Sequence, residues 1–310
     1  FAHQYRQSPR WQAPGGQLHS RPYKALDADA ALGYKALTTR SRPMTPRAAC
    51  LACLEQQPPA LFEAAVWIAV EHQPQLQPEQ VLRQLDTLQQ QVSQGLPNLP
   101  AQELAQPLLR RLSELDFHED DEHPLRPQAA LLNCVLRRRR GQPLMLALLA
   151  LELARRLAIP LQGVNFPGHF LLRVPGADHL LDPCSGRRLY TRECRELLQR
   201  QQGANAELSA SHLLPCDAPS MLQRLSRNLR YLHQLADDPM AALLDAERVL
   251  LLGPPSLPDH LARADIYQLL DCPQGERFDL ERALLLCDDP AQRLHLSQRL
   301  RQLSASPALH

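Results

Sequence analysis

The chain has 310 residues, 44% of them apolar, which is enough material for two domains that each bury a core of ordinary size. It has no run of 18 or more apolar residues, and its N-terminal stretch lacks the charged, apolar and small-residue order of a secretory signal. We therefore expect neither a membrane protein nor a secreted one. Eight cysteines scattered without such a signal favour a cytoplasmic location.

Residues 1–47 form a basic segment with eight Lys or Arg against two Asp, a net charge of +6, whereas the remainder carries −5. The segment has no sustained periodicity and is rich in turn formers, so the sequence predicts disorder there. We interpret it as an unstructured leader, or as upstream sequence attached by a mis-assigned start. An arm that binds nucleic acid is the alternative. Trp11 and Tyr23 are too isolated to form a stacking platform, so we do not expect nucleic acid as a partner.

The sequence from Ala48 to Leu115 predicts short helices joined by proline-containing connectors, with apolar residues spaced three and four apart. Cys50 and Cys53 form a Cys-x-x-Cys pair in the first of these helices. No second pair completes a zinc site, so we interpret both as small core residues, with a metal or redox role as the alternative.

Two charged stretches follow. Residues 117–124 combine His118 and His123 with four carboxylates, which are ligand types for a metal ion. A consecutive acidic run usually points in all directions, so a solvated loop is the preferred interpretation. The four arginines of residues 137–140 would suit phosphate or nucleic acid. We expect instead a charge-paired helix end, because arginine is favoured near a helix C-terminus.

A buried helix is predicted after these arginines. Pro143 suits the first position of a helix, and an apolar run from Leu144 to Leu157 follows it. The run is as long as a buried helix and too short to cross a bilayer. Pro160 ends it, because the residue before a proline is pushed out of the helical region.

Three short strands are predicted next, separated by Pro-Gly turns, at residues 161–166, 169–174 and 179–181. His169 opens the second strand and Asp182 closes the third. A buried helix followed by antiparallel strands predicts an α+β fold.

The motifs in this region resemble those of a known family. PGHFLLRV at 167–174 is followed by LLDPCSG at 180–186, and both come after a Gly-x-Pro helix start and ARRLAIPLQGVNF at 154–166. The combination is similar to the bacterial SirB-type transglutaminase-like proteins, which belong to the papain-like, transglutaminase-core superfamily. The resemblance covers roughly Ala48 to Leu214. It implies a domain at residues 48–215, with a helical lead-in, a buried helix and a short antiparallel sheet.

The resemblance also implies a catalytic triad of cysteine, histidine and aspartate in active superfamily members. A helix N-terminus favours the thiolate, the histidine acts as its base or ion-pair partner, and the aspartate orients the imidazole. His169 and Asp182 match the last two members, and Met145 falls at the position of the nucleophile. A thioether has no ionisable proton and cannot be acylated and released. The sequence therefore predicts a vestigial triad and a pseudoenzyme.

Two cysteines are candidate substitute nucleophiles. Cys184 follows Asp182 by two residues and would approach the His169 side of the cleft, and Cys134 lies one helix before Met145. Neither starts a helix aimed at His169, so we interpret both as buried or incidental thiols. His169 and Asp182 also have a purely structural interpretation, in which their hydrogen bond joins two strand ends.

From residue 220 onward the pattern is helical only. AERVLLL at 246–252 and LERALLL at 280–286 are near copies offset by 34 residues, which is the tetratricopeptide period, and prolines follow each copy. Helices at 222–235 and 261–270 would precede the copies, and one at 291–303 would follow them. Residues 220–305 thus predict a tetratricopeptide-like module that binds peptides or partner proteins on a concave surface. A cap on the core domain is the alternative.

Together these features predict a non-catalytic protein that acts as an interaction or regulatory factor. Its partner would be a protein or peptide bound by residues 220–305, and no cofactor, metal ion or membrane is expected. The alternative is a hydrolase of the cysteine-protease or acyl-transfer type. It would use His169 as base, Asp182 as orienting group and a relocated nucleophile such as Cys184, or an activated water.

Overall fold

A computed structural model of the protein describes residues 44–305. The predicted segment 1–47 therefore lies outside the described residues except for its last four positions. Those positions include the start of the first helix, α1 (Pro46–Leu54), whose N-cap Thr45 accepts a hydrogen bond from the N–H of Ala48 at 3.2 Å. Helix α1 thus begins two residues before the predicted boundary at residue 48.

The helical lead-in predicted from the spacing of apolar residues is confirmed. After α1 it consists of α2 (Leu61–His72), α3 (Pro78–Ser93), α4 (Ala105–Glu114) and α5 (Leu132–Arg138). A short strand, β1 (His118–Glu119), pairs in parallel with β2 (Arg140–Gly141). Residues 117–124 are therefore only partly a solvated loop.

The predicted buried helix is α6 (Pro143–Arg156), and it begins at the proline as expected. Ten of its residues are buried, so it is apolar on nearly all sides, as befits a helix at the centre of a domain. It ends at Arg156 and is followed by a turn at Leu157 and Ala158, where Ala158 has a φ of +54°; Pro160 comes two residues later. No helix in the described range combines the length and apolar character that crossing a membrane requires.

An antiparallel sheet of four short strands follows α6 in the order β3-β4-β5-β6. The strands are β3 (Gln162–Val164), β4 (Leu171–Arg173), β5 (Leu180–Leu181) and β6 (Arg188–Leu189). Three of them lie where the sequence predicted strands but are shorter. Strand β6 was not predicted, because a segment of two residues, one of them charged, is too short to show an alternation of apolar and polar side chains.

Alternate residues of the sheet face two different layers. Leu172 and Leu181 are paired and face the main core with α6, whereas Leu171 and Leu180 face α7 (Thr191–Gln202). A helical layer on each face buries both sides of the sheet. The α+β class predicted from the sequence is consistent with this mostly helical chain with small sheets.

The C-terminal region consists of packed helix pairs, α8 with α9 and α10 with α11, followed by a trailing helix. Their bounds are α8 (Ala218–Leu235), α9 (Pro239–Leu252), α10 (Leu257–Leu269), α11 (Pro273–Leu286) and α12 (Pro290–Ala305). Asp237 and Asp271, which are 34 residues apart, both have positive φ and precede the second helix of a pair. The 34-residue offset between the near copies in the sequence is therefore matched by a backbone conformation that repeats at the same spacing.

The first helix of this region is not separate from the preceding domain. Met221, Leu222, Leu225, Leu229 and Leu232 of α8 belong to the main hydrophobic core, together with α6 and the inner face of the sheet. The later helices have small clusters of their own. Residue 220, the predicted start of the C-terminal module, therefore marks a change in the sequence pattern, while the hydrophobic core continues across it.

Candidate functional site

Met145 lies in the first turn of α6 and is fully buried, with 0% of its surface exposed. Its backbone N–H donates to the carbonyl of Gln142 at 2.8 Å. The Gln142 side chain accepts a hydrogen bond from Asn228 of α8 at 3.0 Å. The helix start therefore contacts α8, and the position assigned to the nucleophile holds a buried thioether without an ionisable proton.

His169 lies in the loop between β3 and β4, two residues before β4 begins, and not within the strand as predicted. The preceding Gly168 has a φ of +72°, which glycine adopts without strain. A Cβ there would lie 2.6 Å from the side chain of Gln201 in α7. The N–H of His169 donates to the carbonyl of Phe166 at 3.1 Å, and this turn leaves His169 exposed at the end of the sheet.

Asp182 follows β5 directly, as predicted, but its carboxylate holds the next turn together. One oxygen accepts the N–H of Cys184 at 3.1 Å and the other accepts the hydroxyl of Ser185 at 2.5 Å. The turn ends at Gly186, whose φ is +67° and whose carbonyl accepts a hydrogen bond from Gln106 at 2.9 Å. Within residues 44–305 no hydrogen bond joins His169 to Asp182, so Asp182 acts here as a turn cap.

The pKa of His169 lies below the ordinary value for histidine. Partial burial of the ring is the largest cause, and the positive charges of Arg224 and Arg200 act in the same direction. Asp182 acts in the opposite direction, because a carboxylate favours the protonated imidazole. The surroundings of His169 therefore favour the neutral imidazole, because burial and two positive charges outweigh one acidic group.

Cys184 is partly buried against the main core. Burial raises the pKa of its thiol far above the ordinary value, and the nearby carboxylates of Asp182 and Glu119 raise it further. An activated nucleophilic thiol needs the opposite surroundings, positive charge or a helix N-terminus. The environment of Cys184 therefore disfavours a thiolate.

Six of the other seven cysteines are buried. All eight are free thiols, and Cys50 and Cys53 are buried in α1, as the core interpretation predicted. Burial raises the pKa of Cys50 to about 12 and that of Cys216 to about 11.

The two charged stretches of the sequence interact with each other. His118 approaches Asp116 at 3.6 Å, whereas His123 approaches Glu122 at 3.9 Å, so the two histidines do not share a carboxylate. The arginine run is charge-paired as predicted, since Arg138 contacts the buried Asp120 at 2.7 Å.

Comparison with known proteins places the chain in a family. A family model described as the transglutaminase-like superfamily matches residues 79–227. The UPF0162 protein PA3419 of Pseudomonas aeruginosa is 62% identical over 270 residues, which cover 86% of this chain and all of that protein. The chain belongs to the UPF0162 family. A UPF0162 protein of Xylella fastidiosa is 40% identical over 167 residues, 52% of this chain and 59% of that protein.

Part of this UPF0162 protein also resembles a eukaryotic protein. F-box only protein 21 of Homo sapiens is 35% identical over 106 residues, 31% of this chain and 16% of that protein. No solved structure gave a significant match to the chain.

A buried cluster that sequence analysis missed joins helix α2 to the C-terminal helices α8 and α9. Asp245 of α9 is 0% exposed and accepts hydrogen bonds from His72 of α2 at 2.9 Å and from His233 of α8 at 2.7 Å. Arg248, also 0% exposed, contacts Asp245 at 2.6 Å and also pairs with Glu71 of α2. These contacts link α2, α8 and α9 through one buried carboxylate.

The sequence contained a signal for this cluster in its repeat. Asp245 and Asp279 stand one position before the two near copies, 34 residues apart, and both are fully buried. Asp279 is bound by His260 at 2.7 Å and by Arg263 at 2.7 Å. A buried carboxylate held by histidine and arginine thus recurs in the two helix pairs.

The atoms of His72, His233 and Asp245 that could bind a metal ion lie within 4.8 Å of one another, the one such group within residues 44–305. Both carboxylate oxygens already accept a histidine N–H, and one also accepts the Arg248 guanidinium. A divalent ion would have to share that carboxylate with a fixed buried cation, so the donor set fits an ion-pair network better than a metal centre.

Proposed function

We propose that this UPF0162 protein is a non-catalytic transglutaminase-like protein of the SirB type. It would act as an interaction or regulatory factor and bind a protein or peptide through its C-terminal helix pairs. The observation that carries the proposal is the fully buried Met145 at the nucleophile position. The side-chain partners of Asp182 and the raised pKa of Cys184 support it, since neither suits a working triad.

Thiol labelling tests the absence of catalysis. The intact protein is treated with thiol-reactive electrophiles at neutral pH, and mass spectrometry locates each modified cysteine, with His169→Ala as the comparison. We expect all eight cysteines to react slowly, and at the same rates in the variant. Fast labelling of Cys184 that His169→Ala abolishes would establish a thiolate–imidazolium pair and refute the proposal in favour of a hydrolase.

A groove on the C-terminal helices supports a partner role. It has a volume of about 560 Å³ and is lined by α1, α9, α10, α11 and the loop between α9 and α10. Leu251 and Phe278 line it with 56% and 48% of their surfaces exposed. The helix pairs have the tetratricopeptide spacing of 34 residues, and stacked pairs of this kind form concave binding surfaces.

The charges of the groove favour an acidic, apolar peptide. The guanidinium of Arg282 lies over the Phe278 ring at 5.3 Å and has no ion pair within the described residues. A peptide carboxylate beside an apolar side chain would satisfy both groups. The basic segment 1–47 of the same chain is a poor occupant, because its charge has the same sign.

Matched variants test the partner site. Proteins recovered from a bacterial lysate with the wild type are compared with those recovered by Phe278→Ala, Arg282→Glu and Leu285→Ala. Leu285 is 75% exposed on the same helix but does not line the groove. We expect at least one protein to be lost with the first two variants and retained with the third, and the purified pair to show the same pattern by calorimetry. Absence of any such protein contradicts the proposal.

A further inference from the structure

Arg224 of α8 is fixed to the loop that carries His169. Its Nη1 donates to the carbonyl of Phe166 at 2.9 Å and to the side-chain oxygen of Asn165. The same Phe166 carbonyl accepts the backbone N–H of His169 at 3.1 Å. The guanidinium also lies over the ring of Phe170, 5.8 Å from its centroid. Arg224 and His169 are thus held next to each other by one shared carbonyl.

This guanidinium has no acidic partner among the described residues. Burial lowers the pKa of Arg224 from its ordinary value, the sign of a desolvated cation without a compensating charge. By contrast Arg227, one turn later on α8, binds Asp259 through two contacts at 2.9 and 2.6 Å. The Nε and Nη2 of Arg224 make no hydrogen bond within residues 44–305, and neither is fully buried. A desolvated cation with free donors is costly unless an anion completes it.

A second unpaired arginine adds to the positive charge at this point. Arg200 of α7 is exposed and has no ion pair within the described chain, and its positive charge is felt at His169. Among residues 44–305, the acidic group that acts on His169 is Asp182, whose two oxygens already accept hydrogen bonds from the following turn. The charged groups that act on His169 are therefore two guanidiniums and one carboxylate, a net charge of +1 when His169 is neutral and +2 when it is protonated.

We propose that the loop carrying His169 forms a binding site for a dianionic oxyanion, in particular the phosphate group of a monoester, held by Arg224, Arg200 and His169. The free Nε and Nη2 of Arg224 present two adjacent donors, the arrangement that matches two oxygens of one phosphate. A doubly charged group balances the two guanidiniums and the protonated imidazole better than a single carboxylate does. This binding does not require a working catalytic triad.

Calorimetry with inorganic phosphate at pH 7 and constant ionic strength tests the site. We expect saturable binding that Arg224→Gln weakens by about tenfold or more, because hydrogen bonds to charged groups are the stronger ones. Arg200→Gln should weaken binding by a smaller factor, since its side chain is exposed. Arg195→Gln is the matched control, an exposed arginine on the same helix that should leave binding unchanged.

Sulfate provides a second readout, because it stays a dianion between pH 5 and 8. Sulfate binding should raise the pKa of His169, which an NMR titration measures. Because proton binding and sulfate binding are linked, the affinity for sulfate should increase as the pH falls. The shift in the pKa of His169 on sulfate binding can be measured in Arg200→Gln even if Arg224→Gln fails to fold.

Three outcomes would overturn the proposal. They are the absence of saturable binding, an equal loss with Arg195→Gln that would indicate diffuse surface charge, and tighter binding of succinate than of phosphate at matched ionic strength. The result does not depend on the groove of the C-terminal helices, so failure of the partner experiment leaves it standing.

Discussion

The Asp245→Asn substitution should destabilise the junction of α2 with α8 and α9. Asparagine keeps the shape of the side chain but removes the charge that Arg248, His72 and His233 share. Breaking a buried ion pair by removing one partner costs about 3–5 kcal/mol. Arg248 keeps Glu71 as a partner, so we expect the low end, about 3 kcal/mol. For a chain of 310 residues, with an unfolding entropy of about 2.1 cal/mol/K per residue, that corresponds to a fall in Tm of about 5 °C.

Urea unfolding and calorimetry measure this change. Asp279→Asn at the equivalent repeat position should also destabilise the protein, but without loosening the contact between α2 and α8, which hydrogen exchange reports. Glu114→Gln, in an exposed pair with Arg111 at 3.0 Å, should change stability by less than about 0.5 kcal/mol. A loss below about 1 kcal/mol for Asp245→Asn would refute the reasoning, because desolvation would then cancel the attraction among these charges.

The same substitution should change the acid limb of the stability curve. Burial by itself would raise the pKa of Asp245, but hydrogen bonds from His233 and His72 and the charge of Arg248 hold it well below its ordinary value. A depressed carboxyl pKa contributes stability above the unfolded pKa of about 4, and that contribution is lost as the pH falls towards the folded value. The difference in stability between wild type and variant should therefore shrink as the pH falls below about 4, and the two proteins should converge in strong acid.

Three further predictions concern the loops and the positions of the proposed triad. Arg224→Gln should raise the pKa of His169, measured by NMR titration, because it removes a positive charge beside the imidazole. Met145→Cys should give a thiol that reacts with a disulfide reagent only after unfolding, because the position is fully buried. Gly186→Ala should cost about 1–2 kcal/mol in the free energy of unfolding, because an L-residue is strained at its φ of +67° and the new Cβ would lie 3.1 Å from Leu109.

Each of these has a distinguishing control. An unchanged or lowered pKa of His169 in Arg224→Gln would mean that the guanidinium does not act on the ring. Rapid labelling of Met145→Cys in the folded protein, suppressed by adding His169→Ala, would indicate an accessible and working dyad. Gly176→Ala isolates backbone strain, because Gly176 also has a positive φ, +81°, but no atom within 4 Å of its ideal Cβ. It should cost less than Gly186→Ala, and equal costs would exclude a role for the contact with Leu109.

Local signals in the sequence determined most of the fold. Pro143 and the apolar run after it located α6, and Pro-Gly pairs located the turns between strands, because these residues restrict their own backbone. The 34-residue offset located the helix pairs, since one pattern repeated in the chain forms the same structure twice. The burial of Met145 also followed from its place in an apolar helix.

The contacts of the polar groups were decided only by the tertiary structure. The family resemblance implied that His169 and Asp182 are neighbouring triad positions. It did not indicate that the Asp182 carboxylate would accept its hydrogen bonds from Cys184 and Ser185. It gave no indication that His72 would contact Asp245, 173 residues later, nor that Arg224 would lie beside His169 without an acidic partner within residues 44–305. Backbone conformation depends on neighbouring residues and can be predicted locally, whereas the partner of a polar side chain depends on which distant surfaces the fold brings together.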